Sequence, residues 1–586
     1  MFERPSLVTA HTHAISSGHQ LATEAGYAIL EAGGNAVDAG VAAGIALGVL
    51  HCDLVNVAGV APIMLRMAAD GRVVTIDGLG TWPALASVEF FEREFDGAIP
   101  EGILRTVVPA AHAAWITALA EYGTLTFADV AEGAIRCARE GFPAYPVFAE
   151  FIADKEAKYR RFAENERIFL PGGQPPRVGD VFRQSELADT LQYMVDQERA
   201  QGGDRAAGLK AAYDAFYRGD IAKRICDYHE ANGGFMRMSD MDAYRVRFER
   251  PLRVPYGDCD IYACGPWSQG ISLAQAFAML REAGLGGLEH NSPGYIHRLT
   301  EIFKLVFADR ERYVADPAFV DVPVAEMLDA GYLAARAGLI DEAVAWPEMP
   351  PAGDPILGGA SIAADRSHPT ELAPGGEAHA TKPQESPVGG PPGSADTSYV
   401  CVIDAAGNMF SATPSDTSAD TEVIPGTGLC PSSRGSQSRG TSDSINAVAP
   451  GKRPRLTPNP ALALKDGKPF MTFGTPGGDV QIQAMIQVFL NATRFGMDMQ
   501  AACAAPRFAS YSFPSSFAPN DYFPGLLMME NRIDAATGDA LSARGHKVDW
   551  WPEETWKAGG VCAIRADGDA MQAGADPRRA GFAMGR

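Results

Sequence analysis

Between Pro347 and Ala395 the chain loses its apolar periodicity and then runs without a pause into a strand. The stretch contains PPAGDP, LGGAS, APGGE and SPVGGPPGSAD, so Pro, Gly, Ser and Ala dominate it. Such a composition makes a linker or a mobile tail. About 45 residues without structure inside a compact protein are rare and call for a reason. Immediately afterwards Thr397 to Ile403 reads TSYVCVI and is rich in β-formers. Asp404 to Asn408 (DAAGN) is a turn, and Met409 to Thr413 returns as a second strand, which makes a hairpin. A flexible tail therefore leads into a core strand that opens on a threonine.

That junction suggests a chemistry. A threonine hydroxyl is a weak nucleophile until a base takes its proton, and one available base is the threonine's own α-amine, freed by cleavage of the bond before it. An α-amine titrates near pH 7.7–8.0, roughly at working pH. The Asp396–Thr397 bond is a cleavable junction of this kind, although a threonine opening a strand after a loop is also commonplace. A second element lies at FGTPGGD, Phe473 to Asp479, entered by a strand (Pro469 to Phe473) and left by a helix (Val480 to Phe495). Paired glycines let backbone N–H groups approach a ligand, and a helix N-terminus favours negative charge there. Gly477 and Gly478 thus form a candidate oxyanion hole, or an ordinary strand-to-helix turn.

The remaining sequence bounds the alternatives. With 586 residues the chain is one very large domain or several. A net charge of −22 argues against nucleic acid and anionic membranes as partners. Nine scattered cysteines without a C-x-x-C pair speak against a disulfide framework. The opening MFERPSLVTAHTHAISS lacks a basic segment followed by an apolar one, and the apolar run Ala39 to Leu50 is too short to span a bilayer, so a cytoplasmic protein is expected. Leu21 to Leu30 reads as a helix closed by Gly33-Gly34, and Asn35 caps a second helix of small residues suited to tight burial against a sheet. Further helices are expected at 110–122, 127–140, 184–200, 270–283 and 295–314, with short strands such as Val73–Ile76 and Asp260–Ala263 between them. His11 and His13 form an HxH without an evident carboxylate partner, and no metal site is assigned to them. Cys401, on the same face of its strand as Thr397, reads as a core thiol. Arg453 and Arg455 read as ties between loops.

Taken in order, the motifs resemble the γ-glutamyltranspeptidase family over nearly the whole chain. They are SGHQLA from Ser17, GGNAVDA from Gly33, Tyr122-Gly123, REGF from Arg139, FYRG from Phe216, ADR from Ala308 and Asp316-Pro317. The C-terminal part adds Asp396-Thr397, DAAGN from Asp404, PGTG from Pro425, GKRP from Gly451, PGG from Pro476, APR from Ala505 and ADPR from Ala575. The resemblance implies an α+β fold, the four-layer αββα sandwich of N-terminal-nucleophile hydrolases, built jointly by a large subunit, residues 1–396 with its flexible tail at about 347–396, and a small catalytic subunit, 397–586. It implies self-cleavage between Asp396 and Thr397, an acyl-enzyme on Thr397, oxyanion donors at Gly477 and Gly478, and hydroxyls near the nucleophile at Thr413 and Ser415. It implies no metal or organic cofactor, and as partners a small amide and the two pieces of one precursor. It leaves open whether two processed pairs form a heterotetramer.

The departures from the family concern the substrate. The arginine that holds the glutamyl α-carboxylate falls at Val88, and the aspartate that holds the α-amino group falls at Gln437. A serine pair becomes Leu456-Thr457, an asparagine becomes Thr417, and an early glycine run is diluted to Ala58-Gly59-Val60-Ala61. Each hydrogen bond to a charged group is worth about 1.5–3 kcal/mol, so losing two disfavours a glutamyl donor by a factor of hundreds. Ser433-Arg434-Gly435 resembles the Asn-Arg-Gly segment of the amidohydrolase and acylase branch. Arg434 reads either as a clamp for a substrate carboxylate or as a structural ion pair. Asp479 reads as a helix cap or as a reader of a substrate cation. The leading expectation is hydrolysis of a small amide, or transfer of its acyl group to an amine, at a site of Thr397, Gly477, Gly478, Thr413, Ser415, Arg434, Thr417, Gln437 and Thr457. The rivals are a true γ-glutamyl transferase and a non-catalytic relative kept for binding.

Overall fold

The protein is described by a computed structural model covering residues 6–356, 384, 391 and 396–586. Most of the predicted linker, residues 357–383, 385–390 and 392–395, lies outside the described residues. Its beginning does not behave as composition suggested. Met349 is buried with its N–H on the Tyr522 hydroxyl (2.9 Å), and the Gly353 N–H reaches the Asp309 carboxylate (2.9 Å). Pro-rich sequence without periodicity can still dock where its backbone groups find fixed partners.

Two seven-stranded sheets form the centre. One runs in the order Val8–Ala10, Ala570–Ala575, Cys562–Asp567, Lys468–Gly474, Ala461–Lys465, Cys259–Ala263, Leu252–Tyr256. The other runs Phe582–Gly585, Ala14–Ser17, Val400–Ile403, Met409–Ala412, Ile63–Arg66, Val73–Ile76, Phe248–Glu249. Every neighbouring pair is antiparallel. The expected hairpin is the centre of the second sheet, with Val400 opposite Ala412 and Ile403 opposite Met409.

Alternation along these strands makes the layers. Tyr399, Cys401 and Ile403 point between the sheets, where they pack with Met64, Leu462, Leu464 and Ile564. Val400 and Val402 point the other way, into a core shared with the helices Gln20–Glu31 and Ala36–Leu50. On the far side, Ala461, Ala463, Met471 and Phe473 meet the helices Gly270–Ala283, Pro293–Tyr313 and Gln481–Thr493. The result is helix, sheet, sheet, helix. The small-residue helix sits as its sequence demands. All of Ala36–Leu50 is buried behind an Asn35/Asp38 capping box, and a Cβ at Gly40 would lie 2.1 Å from the Phe410 ring. No helix among the described residues is long and apolar enough to cross a membrane.

Candidate active site

Thr397 lies just before the strand Val400–Ile403, fully buried, with its hydroxyl 2.6 Å from the Ser415 hydroxyl. The flanking backbone is forced into unusual conformations. Thr397 has φ 125° and Asp416 has φ 124°, a region that residues other than glycine rarely occupy. Both N–H groups converge on one acceptor, the Leu54 carbonyl, at 2.8 and 3.1 Å. Residues held this way cost about 1–3 kcal/mol each, and they persist only where the surroundings over-determine them.

Arg434 organises the rest. Its guanidinium is buried, 2.6 Å from the Asp396 carboxylate and 3.5 Å from Asp416, and it donates to the Ser415 hydroxyl. It also faces the Phe517 ring at 5.5 Å. One cation therefore touches both the residue before Thr397 and the hydroxyl that faces the Thr397 hydroxyl. Asp416 has its own donors, the Ser432 hydroxyl (2.6 Å), the Ser433 N–H (2.9 Å) and the Ser433 hydroxyl (2.7 Å). Among the described residues Asp396 has Arg434 alone as partner, and its other oxygen is buried without one. Burial pushes the Asp396 carboxyl up to about 6, against the pull of Arg434.

This shift carries a pH prediction for a precursor that cannot cut itself. The folded Asp396 carboxyl binds its proton more tightly than the unfolded one. Its protonation therefore stabilises the fold below about pH 4, and that contribution is lost as pH rises through about 6. In urea melts, Thr397→Ala with Asp396→Asn should gain about 1–3 kcal/mol relative to Thr397→Ala alone between about pH 4 and pH 7.5. A pH-independent difference would refute the assignment.

The glycine pair lies after the strand Lys468–Gly474, with φ 124° at Gly477 and φ 55° at Gly478. Neither N–H is hydrogen-bonded to another described residue. Gly477 lines the same cleft as Asp396, Thr417, Ser433 and Phe517, a space of about 270 Å³. Gln269, which the sequence reading passed over, holds this turn in place. Its amide donates to the Thr457 carbonyl (2.8 Å) and to the Gly478 carbonyl (2.9 Å). Its only sequence signal is its place in a Gly/Pro-rich turn before the helix Gly270–Ala283.

The other expected residues divide. Gln437 and Thr457 are brought together, amide to hydroxyl at 2.8 Å, and both are buried. Thr417 lines the cleft. The Thr413 hydroxyl is buried without a hydrogen-bond partner among the described residues, and the Thr413 N–H goes to the Pro62 carbonyl (3.1 Å). Val88 opens the helix Val88–Phe95 and packs beside an apolar cluster containing Trp82, Phe91 and Phe235. Asp479 is not the expected helix cap. It sits in a 3-10 turn and binds Arg310, the Ser516 N–H (2.8 Å) and the Ser516 hydroxyl (2.6 Å), because the turn starts the helix two residues after it. Arg453 does tie loops together, reaching Asp77 (3.0 Å), Glu249 (2.8 Å) and Asp316 (2.8 Å). Among the described residues, one cluster of metal-ligating type exists, His297, Glu301 and His546. Its atoms are engaged, His297 with His546 at 2.9 Å and Glu301 with Lys304 at 2.8 Å.

A four-layer αββα sandwich with a buried threonine at the head of a central strand defines the class of N-terminal-nucleophile hydrolases. The comparisons agree. The family model described as gamma-glutamyltranspeptidase matches residues 22–586. An acylase ACY 1 proenzyme of a Pseudomonas species is 32% identical over 576 residues, covering 96% of this chain and 91% of the relative. The glutathione hydrolase-like YwrD proenzyme of Bacillus subtilis is 30% identical, covering 97% and 98%. The crystal structure of cephalosporin acylase from Bacillus halodurans superposes with a TM-score of 0.83 at 26% identity, covering 100% and 97%. The chain belongs to the γ-glutamyltranspeptidase family, and it is a self-processing acyltransferase or amidohydrolase of that family.

Proposed function

We propose that the protein cuts itself between Asp396 and Thr397 and then hydrolyses small amides whose acyl half carries a carboxylate. In maturation the Thr397 oxygen attacks the Asp396 carbonyl and the C–N bond breaks. The hydroxyl proton ends on the departing nitrogen, and water hydrolyses the ester that results. The Gly477 and Gly478 N–H groups supply donors for the oxyanion, and the Arg434 charge beside Ser415 stabilises developing alkoxide. In turnover the freed Thr397 amine takes the proton from the hydroxyl and returns it to the leaving amine.

The observation that carries the donor assignment is the Arg434–Asp396 contact of 2.6 Å. The site already holds a carboxylate attached to the acyl group it is built to attack. When the tail leaves, that guanidinium loses its closest carboxylate and keeps Asp416 at 3.5 Å. Nothing charged stands at Val88 or Gln437 to read a glutamyl zwitterion, and relatives named as acylases support the same reading.

The test is a set of matched chromogenic anilides with glutaryl, γ-glutamyl and butyryl groups. Glutaryl should exceed butyryl in kcat/KM by about 10- to 100-fold, the worth of one charge-assisted contact. The γ-glutamyl anilide should be no better than glutaryl. A clear γ-glutamyl preference would instead favour a true γ-glutamyl transferase, and equal rates for butyryl would remove Arg434 from donor binding.

A further inference from the structure

Donors for an oxyanion are effective when they already point to where charge develops, because turning them during the reaction forfeits what they contribute. Gly477 and Gly478, at φ 124° and 55°, are of the residue type whose backbone is least constrained by itself. Something else must aim their N–H groups. The peptide bonds of this turn are trans. A trans peptide is planar, so an N–H points opposite to the carbonyl of the residue before it, and holding that carbonyl fixes the N–H.

Three successive carbonyls of the turn are held. The Pro476 carbonyl accepts the Thr475 hydroxyl (2.9 Å), and the Gly477 carbonyl accepts the Val480 N–H (3.0 Å). The Gly478 carbonyl accepts both the Gln269 amide (2.9 Å) and the Gln481 N–H. The second and third planes thus have backbone donors. The first plane carries the Gly477 N–H, and a side chain alone holds it. Among the described residues, Thr475 is the one donor to the Pro476 carbonyl. Thr475 is fully buried and lies outside the lining of the cleft, whereas Gly477 is in it. The Thr475 hydroxyl gives its single proton to Pro476, and its oxygen accepts the Gly560 N–H (2.8 Å). A hydroxyl engaged as donor and as acceptor is fixed in its rotation. Gly559 leaves the space it needs, since a Cβ there would lie 2.9 Å from the Thr475 oxygen.

We propose that Thr475 is a positioning residue for acyl transfer, its hydroxyl aiming the Gly477 N–H at the oxyanion by way of the Pro476 carbonyl. This rests on the donor role given to Gly477 above and adds what sets that donor's direction. Thr475 itself lines no part of the substrate's space. Its effect therefore falls on the tetrahedral state, in which the oxygen carries negative charge, and spares the planar ground state.

The test separates planar from tetrahedral ligands. The probes are the anilide that the wild type turns over fastest, the carboxylic acid released from it, and the boronic acid with the same acyl chain. On the boronic acid the Thr397 oxygen adds to boron, its proton passes to the Thr397 amine and nothing leaves, so a boron hydroxyl takes the place of the oxyanion. Mature Thr475→Val, isolated after cutting is complete, should lose about 10- to 100-fold in kcat with KM within about 2-fold of wild type. That is less than the loss of about 10²- to 10³-fold for removing a donor outright, because the N–H remains but is no longer aimed. The boronic acid should bind more weakly by the same factor, and the carboxylic acid as tightly as before. Thr475→Ser keeps the hydroxyl and should restore most of the rate. If Thr475→Val does not fold, Thr475→Ala against Thr475→Ser makes the same comparison, since the two differ in the hydroxyl alone. Equal weakening of both acids would mean a deformed cleft and overturn the proposal. Wild-type kcat in Thr475→Val would overturn it too, while leaving the acyl-transfer reading in place. Wild-type protein that turns over no anilide would refute that reading, and this inference with it.

Discussion

Replacing Thr397 by alanine is expected to leave the purified protein as one uncut chain of 62.2 kDa and to lower amide turnover by about 10⁴-fold or more. The wild type should give two fragments meeting at Asp396/Thr397 in an intact-mass measurement. Two features make the effect large. In the mechanism we propose, the hydroxyl held 2.6 Å from Ser415 attacks in both reactions, so one deletion would remove both. Cleavage there would also release strain. A threonine at φ 125° carries about 1–3 kcal/mol that disappears when the preceding peptide bond, which defines that torsion, is gone. Thr397→Ser should still cut, because the oxygen remains. Turnover surviving in Thr397→Ala after controls for contamination would end the mechanism.

The second large effect is expected from Arg434→Gln. Removing one partner of a buried ion pair costs about 3–5 kcal/mol, because the other charge is stranded. Here the cost falls on Asp396. Asp416 keeps three hydrogen bonds from Ser432 and Ser433, whereas Asp396 keeps none from the described residues. Self-cleavage, followed as fragment formation over time, should slow by about 10²- to 10³-fold. Adding Asp396→Asn should restore stability to the uncut chain, since the stranded charge is gone, yet leave glutaryl donors no better than butyryl ones. Rapid cutting by Arg434→Gln alone would show that the ion pair does not position the junction.

Much of this arrangement was legible in the sequence, for local reasons. Asn35 and Asp38 announce a helix start within four residues, and the hairpin at Thr397 to Thr413 is written in alternation and a Gly-Asn turn. Contacts chosen in three dimensions were not legible. Thr413 and Ser415 looked equivalent, two residues apart, yet of the two only the Ser415 hydroxyl is hydrogen-bonded to that of Thr397. The strand ends at Ala412, the chain passes through Pro414, and Asp416 at φ 124° turns it. Arg434 was open between clamp and ion pair, and in the uncut chain it is an ion pair with Asp396, a partner no local pattern names. Gln269 carries no motif, because a residue that holds another's backbone is defined by where it ends up.

Both sheets mix strands from the two sides of the proposed cut. Val400–Ile403 and Met409–Ala412 are sandwiched between Ala14–Ser17 and Ile63–Arg66, and Ala461–Lys465 pairs with Cys259–Ala263. Before cleavage, one tethered chain finds these pairings by itself. Afterwards the same pairings join two molecules, and recovering them from the unfolded state becomes a second-order encounter whose yield falls on dilution. The working enzyme would thus be a product of its own history, easy to reach once from a single polypeptide and hard to rebuild from its parts.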